Sequence, residues 1–109
     1  MTEYIVVLIT TPNVIEARKI SKTLVDEKLA ACCNIVQKVN SIYFWKGNIE
    51  DDSESLIIIK TKKDAFPQLV KRVKEIHKYT VPEIIAIPII DGSESYLQWI
   101  GETLTEKGT

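Results

Sequence analysis

The chain has 109 residues, about one domain, and its 45% hydrophobic and 27% charged residues match a packed globular protein rather than a disordered one. Fourteen Lys and Arg against fifteen Asp and Glu leave a net charge of -1, without the basic field that nucleic acid or an anionic membrane surface requires. No apolar run approaches the ~20 residues that span a bilayer, and Ile5 to Ile9 is too short for a signal-peptide core, so a cytoplasmic protein is expected.

In chain order, Tyr4 to Thr11 is β-branched and nearly all apolar, which predicts a central strand covered on both faces. Pro12 ends it. Asn13 is placed to cap a helix with Glu16 as its capping-box partner, and Ala17, Ile20, Leu24 and the Lys28/Leu29 region continue the helical spacing to about residue 29. Two extended arms follow, Ala30 to Lys46 and Ile49 to Lys62, joined by Gly47-Asn48 as a two-residue turn. Pairing Lys46 with Ile49 sets Trp45 opposite Glu50, Tyr43 opposite Asp52 and Ile42 opposite Ser53, with one bulge able to shift the far end. Leu56-Ile57-Ile58-Ile59 reads as buried on both faces. Asp64 is expected to cap a second helix carrying Phe66, Leu69, Val70, Val73, Ile76 and His77 on one side. Ile84 to Ile90 predicts a fourth strand whose Pro88 belongs at an edge. Ser93 then caps a last helix with Leu97, Ile100 and Leu104 as its stripe.

This order is the split βαβ, or ferredoxin-like, βαββαβ plan: an α+β domain over residues 1–109, with an antiparallel sheet, a long β-hairpin and a C-terminal helix. An arm of about 14 residues at ~3.3 Å each spans roughly 45 Å. A compact domain of this size is only about 34 Å across. The hairpin therefore overhangs its own domain, and its outer half carries Ile42, Tyr43, Phe44 and Trp45, which are too apolar to stand in water. The simplest cover is another copy of the chain in a closed ring.

Few residues suggest chemistry. His77 is the only histidine, at a helix end where packing or capping competes with metal ligation or proton transfer. Cys32 and Cys33 are adjacent, so they point to opposite faces of a strand. They suit packing in a reducing compartment better than a disulfide or a zinc site. Glu50, Asp51, Asp52 and Glu54 read as a solvated strand edge, with hard-cation binding as the competing reading. Tyr43, Phe44 and Trp45 bunch beside a turn and face carboxylates, unlike an RNA-binding sheet. No phosphate loop, nucleophile triad or nucleotide fingerprint is present, so no enzyme is expected.

Ala30-Ala31-Cys32-Cys33-Asn34-Ile35, Ser41 to Glu50 with its aromatic hairpin and Lys46-Gly47 tip, and His77-Lys78-Tyr79-Thr80-Val81-Pro82-Glu83-Ile84 resemble the three signature stretches of the divalent-cation tolerance (CutA) family. Thr11-Pro12 and Ser93 to Ile100 extend the resemblance over nearly the whole chain. It implies a ferredoxin-like subunit in a homotrimer built like the PII signalling proteins. It also implies a cytoplasmic role in copper tolerance and metal response, with copper(2+) or another divalent metal bound; the charge balance already argues against nucleic acid or membrane as partner. Ile42, Tyr43, Phe44 and Trp45 would form the trimer interface. The sequence departs from the family at Lys78 and Thr80, which replace a Pro and an acidic residue. Ile9 and Ile76 stand where bacterial members carry a Cys and a second His, so His77 remains of that ligand set. The alternative is a PII-like sensor taking a small ligand in clefts between subunits, where Trp45, Lys60, His77, Tyr79 and Glu83 would converge.

Overall fold

The computed structural model describes residues 3–105. Strand β1 runs over Tyr4–Thr11 and helix α1 over Val14–Asp26. The Asn13 side chain caps α1 by accepting the Glu16 N–H at 2.9 Å. The return bond of a capping box is not made by Glu16 Oε1, which is buried without a partner. The helix stops three residues short of the expected end. Lys28 takes φ 62, Leu29 N–H reaches the Leu24 carbonyl at 2.9 Å and Lys28 N–H the Val25 carbonyl at 3.1 Å. This is a Schellman closure with lysine in the place glycine normally fills.

The long hairpin is β2 (Cys32–Trp45) and β3 (Asn48–Lys62). Its turn is Lys46-Gly47 rather than Gly47-Asn48. Both residues have positive φ, 52° and 84°, which is the type I′ geometry that matches strand twist. Trp45 therefore pairs with Asn48, Tyr43 with Glu50 and Ile42 with Asp51. The expected register is off by two residues, and because two is the side-chain period the same residues still share a face. A bulge does interrupt the ladder, between Val36 and Val39, where Ser55 donates to the Gln37 carbonyl at 2.6 Å. That extra residue inverts β2. Cys33 and Ile35 lie opposite the buried Ile59 and Ile57, whereas Val39, Ser41, Tyr43 and Trp45 lie opposite the even-numbered residues of β3.

A 3-10 turn at residues 63–65 precedes α2 (Phe66–Ile76). Asp64 sits inside that turn and does not cap the helix, which starts after Ala65 with Pro67 in its first turn and no side-chain cap. Strand β4 is shorter than expected, Ile84–Pro88, and α3 covers Glu94–Thr105. The sheet order is β2-β3-β1-β4 with antiparallel pairing throughout, so β1 and β3 are central and Pro88 ends an edge strand.

Ile5, Val7 and Ile9 of β1 and Ile57 and Ile59 of β3 pack with Ala17, Ile20 and Leu24 of α1 and Leu69 and Val73 of α2. Three polar residues share the buried rows of the sheet, and each hydroxyl closes a loop. Thr11 donates to the Asn13 carbonyl at 2.8 Å, Ser55 to Gln37, and Thr61 to the Leu29 carbonyl at 2.8 Å. The other face of the central strands is only half-buried, at Val6, Leu8, Leu56 and Ile58, so the expected double cover is incomplete within one chain. No helix among the described residues is long and apolar enough to cross a membrane.

The hairpin overhangs as geometry requires: the molecule measures 45 × 29 × 23 Å. At its tip Ile42, Phe44 and Ile49 are 70%, 74% and 69% exposed. By register these three share one face of the hairpin, and Tyr43 and Trp45 share the other with Glu50, Asp52 and Glu54.

Candidate functional site

Strand β4 begins opposite Ile9, so Thr10 is the first residue of β1 with no partner on that side. The His77 ring takes the place of the missing strand. Its Nε2 lies 2.8 Å from the Thr10 carbonyl, and its Nδ1 accepts the Tyr79 N–H at 3.0 Å. The imidazole is thus the Nε2–H tautomer, with both nitrogens engaged inside the chain. It also packs on the Tyr79 ring at 4.8 Å. His77 caps the end of α2 and braces the segment 77–83 against the end of β1.

The braced segment delivers Tyr79 to the hairpin. Its hydroxyl donates to Glu54 Oε2 at 2.6 Å, and Glu54 is 8% exposed. Burial, followed by the bond to Glu54 and its charge, pushes the Tyr79 phenol well above the ordinary tyrosine range. One step along, the Tyr43 hydroxyl donates to Asp52 Oδ2 at 2.5 Å, the diagonal neighbour across the ladder. That bond is the chief cause of a Tyr43 pKa pushed up to about 12. Glu83 Oε1 accepts from the Thr10 hydroxyl at 3.4 Å.

Between the hairpin and residues 78–83 lies a groove of about 750 Å³, which is the size of a small-molecule site. Trp45, Tyr43, Tyr79, Glu54 and Glu83 line it, with Lys78 as the one lining cation. Of the residues expected to converge, Trp45, Tyr79 and Glu83 do so within one chain, and His77 stands behind Tyr79. Lys60 lies away from the groove, bonded to the Asn34 side chain where β2 begins.

The acidic run does not behave as one solvated edge. Asp51 and Asp52 are exposed, Glu50 is half-buried and Glu54 is buried against Tyr79. Glu54 was the residue hidden from sequence reading. Its position beside the apolar run starting at Leu56, two residues from Asp52, is the signal that it leaves solvent before its neighbours do. The cysteines pack as expected: both thiols are free and half-buried, and burial pushes Cys33 up to about 11. Among the described residues no three His, Cys, Asp or Glu side chains form a group that could hold a metal ion. With its two nitrogens committed, His77 does not fit a Cu(II) site built by one chain.

Residues 5–103 match the family described as CutA1 divalent ion tolerance protein. The chain is 54% identical over 97 residues to the divalent-cation tolerance protein CutA of Thermus thermophilus, covering 89% of this chain and 94% of that one. It is 47% identical over 96 residues to the chloroplastic protein CutA of Arabidopsis thaliana, covering 88% of this chain but only 53% of the plant protein. The solved structure of the periplasmic divalent cation tolerance protein CutA from Archaeoglobus fulgidus superposes with a TM-score of 0.90 at 42% identity, over 93% of this chain and 98% of that one.

Proposed function

The chain belongs to the CutA1 divalent ion tolerance family, and on that premise we propose that it acts without catalysis in divalent-cation tolerance, as a homotrimer closed through its hairpins. The observation that carries this reading is the exposure of Ile42, Phe44 and Ile49 on an arm that overhangs the domain. An apolar, open hairpin of this kind is stable in water only when covered, and closed symmetry supplies the cover without leaving a free edge. Tyr43 and Trp45 border that contact from the other face of the hairpin. A divalent metal, Cu(II) included, then draws its ligands from more than one subunit, because the described residues of one chain group no three His, Cys, Asp or Glu side chains. Two free thiols support a reducing compartment, the cytoplasm.

Sedimentation equilibrium of the full chain at low micromolar concentration tests the assembly. The expected mass is three times that of the chain, and Phe44→Asp, which puts a charge into the covered face, is expected to give monomer. A wild-type monomer overturns the reading. Calorimetric titration with CuCl2 separates the metal from the assembly: binding is expected to the trimer and to be lost in the Phe44→Asp monomer.

A further inference from the structure

The groove between the hairpin and residues 78–83 has a chemistry of its own, with Ile42 of the proposed interface at its edge. Tyr43, Trp45 and Tyr79 line this groove together with the carboxylates of Glu54 and Glu83. Glu54 is nearly buried, yet the ion pairs of the described residues lie elsewhere, at Lys62–Glu3, Arg72–Glu27 and Arg72–Glu75. Glu54 accepts from one phenol, and no cation pairs with it among the described residues. Aromatic faces attract cations through their quadrupole, and the Trp45 ring already has the Lys46 ammonium 5.9 Å from its centroid.

We infer that this groove binds a small organic cation, an alkylammonium group placed among the rings of Tyr43, Trp45 and Tyr79 and neutralised by Glu54 and Glu83. A bare metal ion fits less well: the groove of about 750 Å³ is far larger than a coordination sphere, and the described residues hold no converging set of three ligands. An anion is disfavoured because two carboxylates line the groove against one Lys78, with Glu50 and Asp52 on the same face of the hairpin. The groove is built within one chain, so the inference does not rest on the trimer.

The test uses choline chloride and its neutral carbon isostere, 3,3-dimethylbutan-1-ol, on the full chain at fixed ionic strength, followed by calorimetry and by amide and indole NMR shifts. Choline is expected to bind saturably, to shift the Trp45 indole and the Tyr79 amide, and to bind several-fold more tightly than the isostere, as a partly exposed cation–π and carboxylate site requires. Glu83→Gln, at an exposed position that tolerates the change, is expected to weaken choline several-fold and leave the isostere unaffected. Glu54→Gln should do the same with a larger effect, provided its circular dichroism is native. Equal binding of the two probes, no saturable choline binding, or a Glu83→Gln chain that binds choline like wild type would each overturn the inference. Sedimentation of the same samples keeps that failure separate from a failure of assembly.

Discussion

The two halves of one hairpin, separated by the Val36–Val39 bulge, have opposite fates. On the domain side, Ile57 and Ile59 are fully buried under α1 and α2 and the chain finishes its own core. On the tip side, strands of equal regularity carry Ile42, Phe44 and Ile49 with well over half their surface in solvent. Backbone pairing is regular on either side of the bulge, so the ladder does not set the difference. Helices reach only as far as the domain, and beyond them a strand pair has two uncovered faces. Regular secondary structure and a completed tertiary environment are therefore separate achievements of the same sequence.

The largest expected effect comes from trading equivalent truncations between the halves. Ile59→Ala should cost ~2–5 kcal/mol in urea unfolding, independent of protein concentration, because it opens a cavity the core cannot close. Phe44→Ala should lower stability only through a concentration-dependent part, as expected for a contact between copies. Equal, concentration-independent losses would mean that the tip is covered from within the chain.

A smaller effect should appear at the junction, where Tyr79 ties the helix-side segment to the hairpin. Tyr79→Phe keeps the ring but leaves the buried Glu54 without its donor, costing about 1–3 kcal/mol. A variant as stable as wild type would show that Glu54 finds water or another donor, and that the junction is not a tie.

The smallest effect is the alkaline limb of the stability profile. Tyr43 is raised from 10.0 to about 12 and Cys33 from 9.0 to about 11, so the folded state holds both protons more tightly than the unfolded state. The resulting stabilisation is complete below pH 9, falls through pH 9 to 11 for Cys33 on the domain side, and through pH 10 to 12 for Tyr43 on the tip side. Thermal unfolding across this range should lose its lower segment in Cys33→Ala, while its upper segment should shrink but persist in Tyr43→Phe, because the raised phenol of Tyr79 titrates there as well. A profile unchanged in both would assign the limb to other groups.

Most of the fold was legible because it rests on local rules. β-branching and nearly unbroken apolar runs marked β1 and the inner part of β3, Asn13 marked the start of α1, and Pro88 marked an edge. The errors fell where two local solutions are nearly equal in energy. Lys46 accepting positive φ moved the turn by one residue, and Lys28 doing the same ended α1 early. Asp64 lost its capping role to a 3-10 turn that no periodicity announces.

The sequence by itself determined the order of elements, the overhang of the hairpin and the residues that crowd its tip, since chain length and hydrophobic period act through neighbours along the chain. Only the tertiary structure decided what meets across the groove. It set the bulge that brings Cys33 and Ile35 to the buried face while Tyr43 and Trp45 keep the other, the gap beyond Ile9 that gives the Thr10 carbonyl to His77, and the approach of Tyr79 to Glu54 over 25 residues of chain. Those contacts depend on where β1 and β4 stop relative to β3. Strand ends are fixed by packing and by the satisfaction of each exposed carbonyl and carboxylate, which sequence spacing does not encode.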